Sequence, residues 1–132
     1  AVGAANTEGV FSSADWYADS SVPGSAKFIA DYVAKYGGTA AAIDPTSAEA
    51  YSAGMLLEAV AKKTGKIDNA TIISTLHSGT WPTLVGDLSW DQYGAPQGSF
   101  LLIQWVGGKP VTVYPPATAG ATPVAPKPVW AG

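Results

Sequence analysis

The chain has 132 residues, a length that fits one domain, with 47% hydrophobic and 13% charged residues, 15 Gly and 10 Pro. That balance argues against wholesale disorder and predicts many turns. A formal net charge of −3, with seven scattered basic residues, gives no electrostatic footing for nucleic acid or an anionic membrane. The absence of cysteine excludes disulfides, thiolate nucleophiles and Cys-based zinc or iron–sulfur sites. No run approaches the roughly 20 apolar residues of a membrane helix. Ala1-Val2-Gly3-Ala4-Ala5 lacks the charged start and long apolar core of a signal peptide, so the chain is expected to be mature and trimmed, or a piece of something longer.

Residues 1–9 are small and polar and read as a lead-in. Residues 10–13, Val-Phe-Ser-Ser, read as a short strand, and residues 14–19 as a loop carrying Trp16 and Tyr17. From 25 to 36 the apolar residues Phe28, Ile29, Tyr32, Val33 and Tyr36 recur at helical spacing, and Gly37-Gly38 stops that helix. Thr46-Ser47-Ala48-Glu49 has the pattern of a capping box, with Thr46 as N-cap and Glu49 at the third helical position. The second helix is predicted to run to about Lys63, with Tyr51, Met55, Leu56, Ala59 and Val60 inward. Gly65 ends it. Asp68 is predicted to cap a third helix over 69–77, with Ile72, Ile73 and Leu76 inward.

Residues 81–106 read as two strands joined by a polar loop. Leu84, Leu88 and Trp90 fall at even spacing in the first half. Phe100, Leu101, Leu102, Ile103, Trp105 and Val106 form a nearly continuous apolar run in the second, as in a strand covered on both faces. Two strands alone are marginal in water, so the unit must lie against something else. Gly107-Gly108-Lys109-Pro110 reads as a tight turn and residues 111–114 as a last strand. Residues 115–132 are rich in Pro, Ala and Thr and read as an extended tail, with Trp130 as the residue to pin its end. The domain reading is therefore a body over 1–114 and a tail over 115–132.

Catalysis finds no positive support. The one histidine, His77, sits where a cation suits a helix C-terminus, and no second His or Cys joins it as a metal ligand. No nucleophile elbow, phosphate loop or dinucleotide fingerprint is present. Asp87 and Asp91 lack the alternating oxygen ligands of a calcium loop and read as turn residues. No cofactor, metal ligand or catalytic residue is predicted.

Two stretches suit binding. Residues 12–17 follow the first strand, where ligands gather in α/β sheets. Ser12 offers a hydroxyl, Asp15 a carboxylate, and Trp16 and Tyr17 aromatic walls. The alternative is that the two aromatics cover the edge of the core. The second stretch, residues 46–51, opens the middle helix, whose free N–H groups attract an anion such as a substrate carboxylate. Glu49 and Tyr51 stand beside it. For Glu49 the alternative is the capping box, and for Tyr51 a place in the core stripe.

The order of features resembles the C-terminal part of the branched-chain-amino-acid-type substrate-binding proteins of ABC importers. Glu8-Gly9-Val10-Phe11 is similar to the strand entering a cleft loop, and residues 28–37 to the family's "F…Y…YG" helix. Ala50-Tyr51-Ser52-Ala53 opens a small-residue helix. Residues 86–94, Gly-Asp-Leu-Ser-Trp-Asp-Gln-Tyr-Gly, lead to Ile103-Gln104-Trp105-Val106-Gly107-Gly108-Lys109, the most specific pattern of the set. The match departs at Tyr51-Ser52, where many members have Tyr-Asp.

The resemblance implies an α/β, type I periplasmic-binding-protein-like fold with about three helices and the strand pair. It implies an extracytoplasmic protein that closes two lobes around a small polar nitrogen-containing solute, such as an amino acid, amide or urea-like compound. Delivery to a membrane ABC permease, without catalysis, follows. It adds weight to Ser12, Trp16, Tyr17 and Tyr51 as ligand contacts. Such proteins are two to three times longer, so this chain reads as a C-terminal fragment. Its partner is expected to be the missing N-terminal portion, or a second copy by strand exchange. Two other readings use the same residues: a ligand-sensing domain of a receptor or regulator, and a strand-exchanging interaction module.

Overall fold

The computed structural model describes residues 3, 6–98 and 100–129. It holds three α-helices and six strands: β1 (Phe11–Ala14), α1 (Ser25–Tyr36), α2 (Pro45–Thr64), α3 (Asn69–His77), β2 (Trp81–Thr83), β3 (Gly86–Trp90), β4 (Pro96–Gln97), β5 (Leu101–Val106) and β6 (Lys109–Tyr114). The α/β class and the three helices match the reading of the sequence. Trp130 lies outside the described residues.

The strands form two small antiparallel sheets, ordered β1-β5-β6 and β2-β3-β4. This corrects the expected pairing of the two halves of residues 81–106. Among the described residues β3 pairs with β2 and β4, not with β5. The reason is local closure. Leu84 and Val85 form a two-residue turn, Gly86 takes φ 96°, and Thr83 Oγ1 accepts from Val85 N and donates to Gly86 O. Short loops cost little entropy, so β3 is taken by its near neighbour. The polar loop closes on itself as well, because Asp91 Oδ1 accepts from Tyr93 N and Ala95 N.

In the larger sheet Ile103 and Gln104 are buried in succession, so both faces of β5 are covered. Gly107 and Gly108, both at positive φ, turn β5 into β6, as a two-residue hairpin of this kind requires. Glu8 grips the same turn: its Oε1 accepts from Gly107 N at 3.0 Å and its Oε2 from Gly108 N at 3.1 Å. Residues 115–129 carry neither helix nor strand and run along this sheet.

The helices start where their caps allow. Pro45 stands at the first position of α2 and Asp44 is its N-cap, accepting from Thr46 N at 2.9 Å. The expected capping box of Thr46 and Glu49 therefore does not form. Proline fixes the entering backbone one residue early, and Asp44 takes the donor. The buried line of α2 is Ala48, Ser52, Leu56 and Val60, four residues apart, while Tyr51 is 51% exposed. Tyr51 is thus outside the stripe predicted for it, and Ile73 of α3 is likewise exposed. Ser52 is buried because it is used: its hydroxyl donates to Ala48 O and accepts from Leu84 N, tying α2 to the β2–β3 turn.

Asp68 caps α3, accepting from Thr71 N at 3.0 Å and from Thr71 Oγ1 at 2.8 Å. Those bonds hold the Asp68 carboxyl below the usual aspartate range. A carboxyl depressed in the folded state contributes stability above its ordinary pKa and loses it as pH falls through the lower, folded value. The helical signal of α3 is therefore expected to persist to a lower pH than free aspartate would allow. In Asp68→Asn the α3 amide signals should lose this acid transition, which NMR titration of those amides would read.

The core cluster joins Trp16, Phe28, Ile43, Ala48 and Leu84. Trp16 meets Phe28 edge-on at 5.5 Å between ring centroids, and its indole N–H donates to Ser25 Oγ at 3.2 Å. The loop after β1, the start of α1, the start of α2 and the β2–β3 turn thus share one anchor. That anchor fixes the surface beside it.

Candidate functional site

Two adjoining cavities lie beside this anchor. One, of about 360 Å³, is lined by Asp15, Glu49, Ser52, Leu56, Leu88 and Phe100 among others. The second, of about 460 Å³, is lined by Ser13, Ala14, Asp15, Asp44, Pro45, Thr46, Glu49 and Phe100. They share Asp15, Glu49 and Phe100, so they adjoin along these residues and are taken together as one site. Its walls are the carboxyl end of β1, the first turns of α2 and the start of β5.

The chemistry follows from the lining. Asp15, Asp44 and Glu49 supply carboxylates, Ser13, Thr46 and Ser52 hydroxyls, and Leu56, Leu88 and Phe100 an apolar floor. No cation stands among the described lining residues. Glu49, free of the capping box, has no hydrogen-bond partner among the described residues and is available to a ligand. Asp44 already occupies the N-terminus of α2, which leaves an incoming anion less to bind there. Its carboxyl is held below the usual range by hydrogen bonding from the Thr46 side chain and, secondarily, from the Thr46 N–H.

The six residues singled out from the sequence are thus distributed. Asp15 and Glu49 are brought together. Ser12 is exposed on β1, beside the cavity-lining Ser13. Trp16 is fully buried in the core, one residue from Asp15. Tyr17 is half-buried; burial, and secondarily the Asp19 carboxylate, push its hydroxyl pKa up. Tyr51 faces a separate groove between α1 and α2, with its ring 5.1 Å from Phe28. Ser13 lies inside the 12–17 stretch that the sequence pointed to, while sequence reasoning missed Ser52, Leu88 and Phe100. The departure at Ser52 from the usual Tyr-Asp pattern was the one available signal; Leu88 and Phe100 come to the cavity from β3 and from the residue before β5, strands of different sheets.

Among the described residues no cluster of His, Cys, Asp and Glu is placed to hold a metal ion. No described helix is long and apolar enough to cross a membrane.

Comparison with known proteins bears on this geometry. The family model described as periplasmic binding protein matches residues 1–109. No curated protein matches the chain. Among solved structures, a leucine binding protein from Thermotoga maritima is similar with a TM-score of 0.62 and 22% identity, over 80% of this chain and 30% of that one. A solute binding protein of an ABC transporter from R. palustris, in complex with benzoate, gives 0.64 and 21%, over 90% and 32%. An amino acid ABC transporter substrate-binding protein from Pseudomonas fluorescens gives 0.63 and 22%, over 78% and 27%. The chain thus spans about a third or less of the length of these structures, and shares their fold over most of its own length. The family is one of binding proteins rather than enzymes. With the matched model covering most of its residues, and with its helices and sheets laid out as in those structures, this chain belongs to the periplasmic binding protein family.

Proposed function

We propose that this chain is the C-terminal part of an extracytoplasmic substrate-binding protein of an ABC importer, and that it supplies one wall of the solute cleft. The solute is a small polar nitrogen compound, such as an amino acid, amide or urea-like molecule, handed to a membrane permease. The observation that carries this reading is the pairing of Asp15 and Glu49 across one concavity that no described cation lines. Carboxylates accept hydrogen bonds from ammonium and amide N–H groups and repel a solute whose only charge is negative. Phe100 and Leu88 offer the apolar contact that such a solute's carbon skeleton needs.

One wall buries only one side of a ligand. The 132-residue chain alone is therefore expected to show no micromolar binding in calorimetric titrations with leucine, glutamine or urea. The longer protein is expected to bind one of this class at micromolar levels. There, Glu49→Ala should weaken binding about 10- to 100-fold, the loss of a charge-assisted hydrogen bond. Micromolar binding by the short chain would refute the single wall. Tighter binding of benzoate than of any amine or amide, with Glu49→Ala neutral, would refute the solute class.

A further inference from the structure

We propose that residues 115–128 are a strap latched onto the larger sheet by Gln104, and that through Thr112 and Asp19 the strap sets the position of the loop that carries Asp15. Gln104 is fully buried in β5. Its Nε2 donates to Val124 O at 2.9 Å and to Gly9 O at 3.2 Å, and its Oε1 accepts from Val124 N at 2.7 Å. One side-chain amide thus satisfies both backbone groups of a strap residue, as a neighbouring strand would, and ties them to the lead-in of β1. Nearer its start the strap bonds again: Gly120 N donates to Thr112 O at 2.8 Å. Its far end covers Gly9, where a Cβ would stand 2.8 Å from Lys127 Cγ and 2.9 Å from Pro128 Cδ.

Thr112 is the junction. Its carbonyl holds the strap, while its N–H and hydroxyl donate to Asp19 Oδ2 at 2.8 Å and Oδ1 at 2.6 Å. Asp19 ends the loop that begins beside Asp15. A small cavity of about 60 Å³ between loop and strap is lined by Asp15, Thr112, Pro115 and Thr118. A segment without helix or strand is held by few bonds, so it opens at less cost than the body and makes a natural switch element. Losing the latch frees the strap, and the loop loses a support on one side. The coupling half of this proposal rests on Asp15 lining the solute cleft.

Hydrogen exchange and NMR on this chain, without solute, test it. In the parent chain the amides of Val124 and Gly120 are expected to exchange at least about tenfold more slowly than an unstructured peptide. Gln104→Leu, which keeps the bulk and removes the amide, should return both to nearly unprotected rates and shift the signals of residues 15–19. The amides of Leu56 and Val60 in α2 should stay protected. Unprotected strap amides in the parent, or protection that survives Gln104→Leu, would overturn the latch. A released strap with unshifted signals at residues 15–19 would overturn the coupling. Should Gln104→Leu fail to fold, Val124→Pro removes the strap's N–H donor to Gln104 without altering a sheet residue, and the Gly120 amide then reads the latch. These readouts involve no solute, so their failure leaves the cleft reading standing, and failure of the solute titrations leaves the strap standing.

Discussion

Replacing Trp16 with alanine is expected to lower the unfolding free energy by about 3–5 kcal/mol. The side chain is 0% exposed and touches the core at its centre, edge-on to Phe28. Truncation leaves a large void and removes the indole N–H that Ser25 Oγ accepts. A domain of this size holds about 5–15 kcal/mol in all, so the loss is a large fraction of the total and the unfolding midpoint should fall markedly. Trp16→Phe separates the two losses. It keeps most of the packing and removes the donor, and should cost about 1–3 kcal/mol. Urea unfolding followed by circular dichroism would read both. A Trp16→Ala midpoint indistinguishable from the parent's would contradict the core described above.

Leu84→Ala is expected to cost about 2–5 kcal/mol. Leu84 is 1% exposed, closes the β2–β3 turn, and belongs to the same cluster as Trp16. Its backbone N–H donates to Ser52 Oγ at 3.2 Å in a buried setting. Ser52→Ala should therefore cost about 1–3 kcal/mol, because it leaves that N–H without its acceptor. The two sites touch, so the double variant should cost less than the sum of the single ones. A Ser52→Ala midpoint equal to the parent's, measured in the same unfolding experiment, would mean that α2 and the turn are not joined through this hydroxyl.

The helices were legible because their signals are local. The spacing of Phe28, Tyr32 and Tyr36, the stop at Gly37, and the cap at Asp68 all lie within a few residues of what they govern. Even so, the start of α2 turned on Pro45, which outranks a Thr46–Glu49 box because it fixes the backbone before that box can close. The sheets were less legible. Which strand joins β5 is decided by residues about 90 positions away, with Phe11 opposite Gln104, and apolar pattern does not encode a partner. Gln104 shows the same limit: nothing in one polar letter inside an apolar run names the segment 20 residues on that its side chain bonds. In the candidate site, Asp15 and Glu49 were legible from strand end and helix start. Phe100 was not, because its place there depends on where β5 lies.

The grip of Glu8 on the β5–β6 turn has a chemical corollary. Two successive amides from left-handed glycines form a concave pocket of positive potential, the kind that elsewhere holds phosphate or sulfate. Here both amides already face a carboxylate tethered to the same body. Any free oxyanion must compete with an internal one whose effective concentration is on the order of millimolar or more. The Gly107-Gly108 turn is therefore self-neutralised, and it serves as a clasp between lead-in and hairpin.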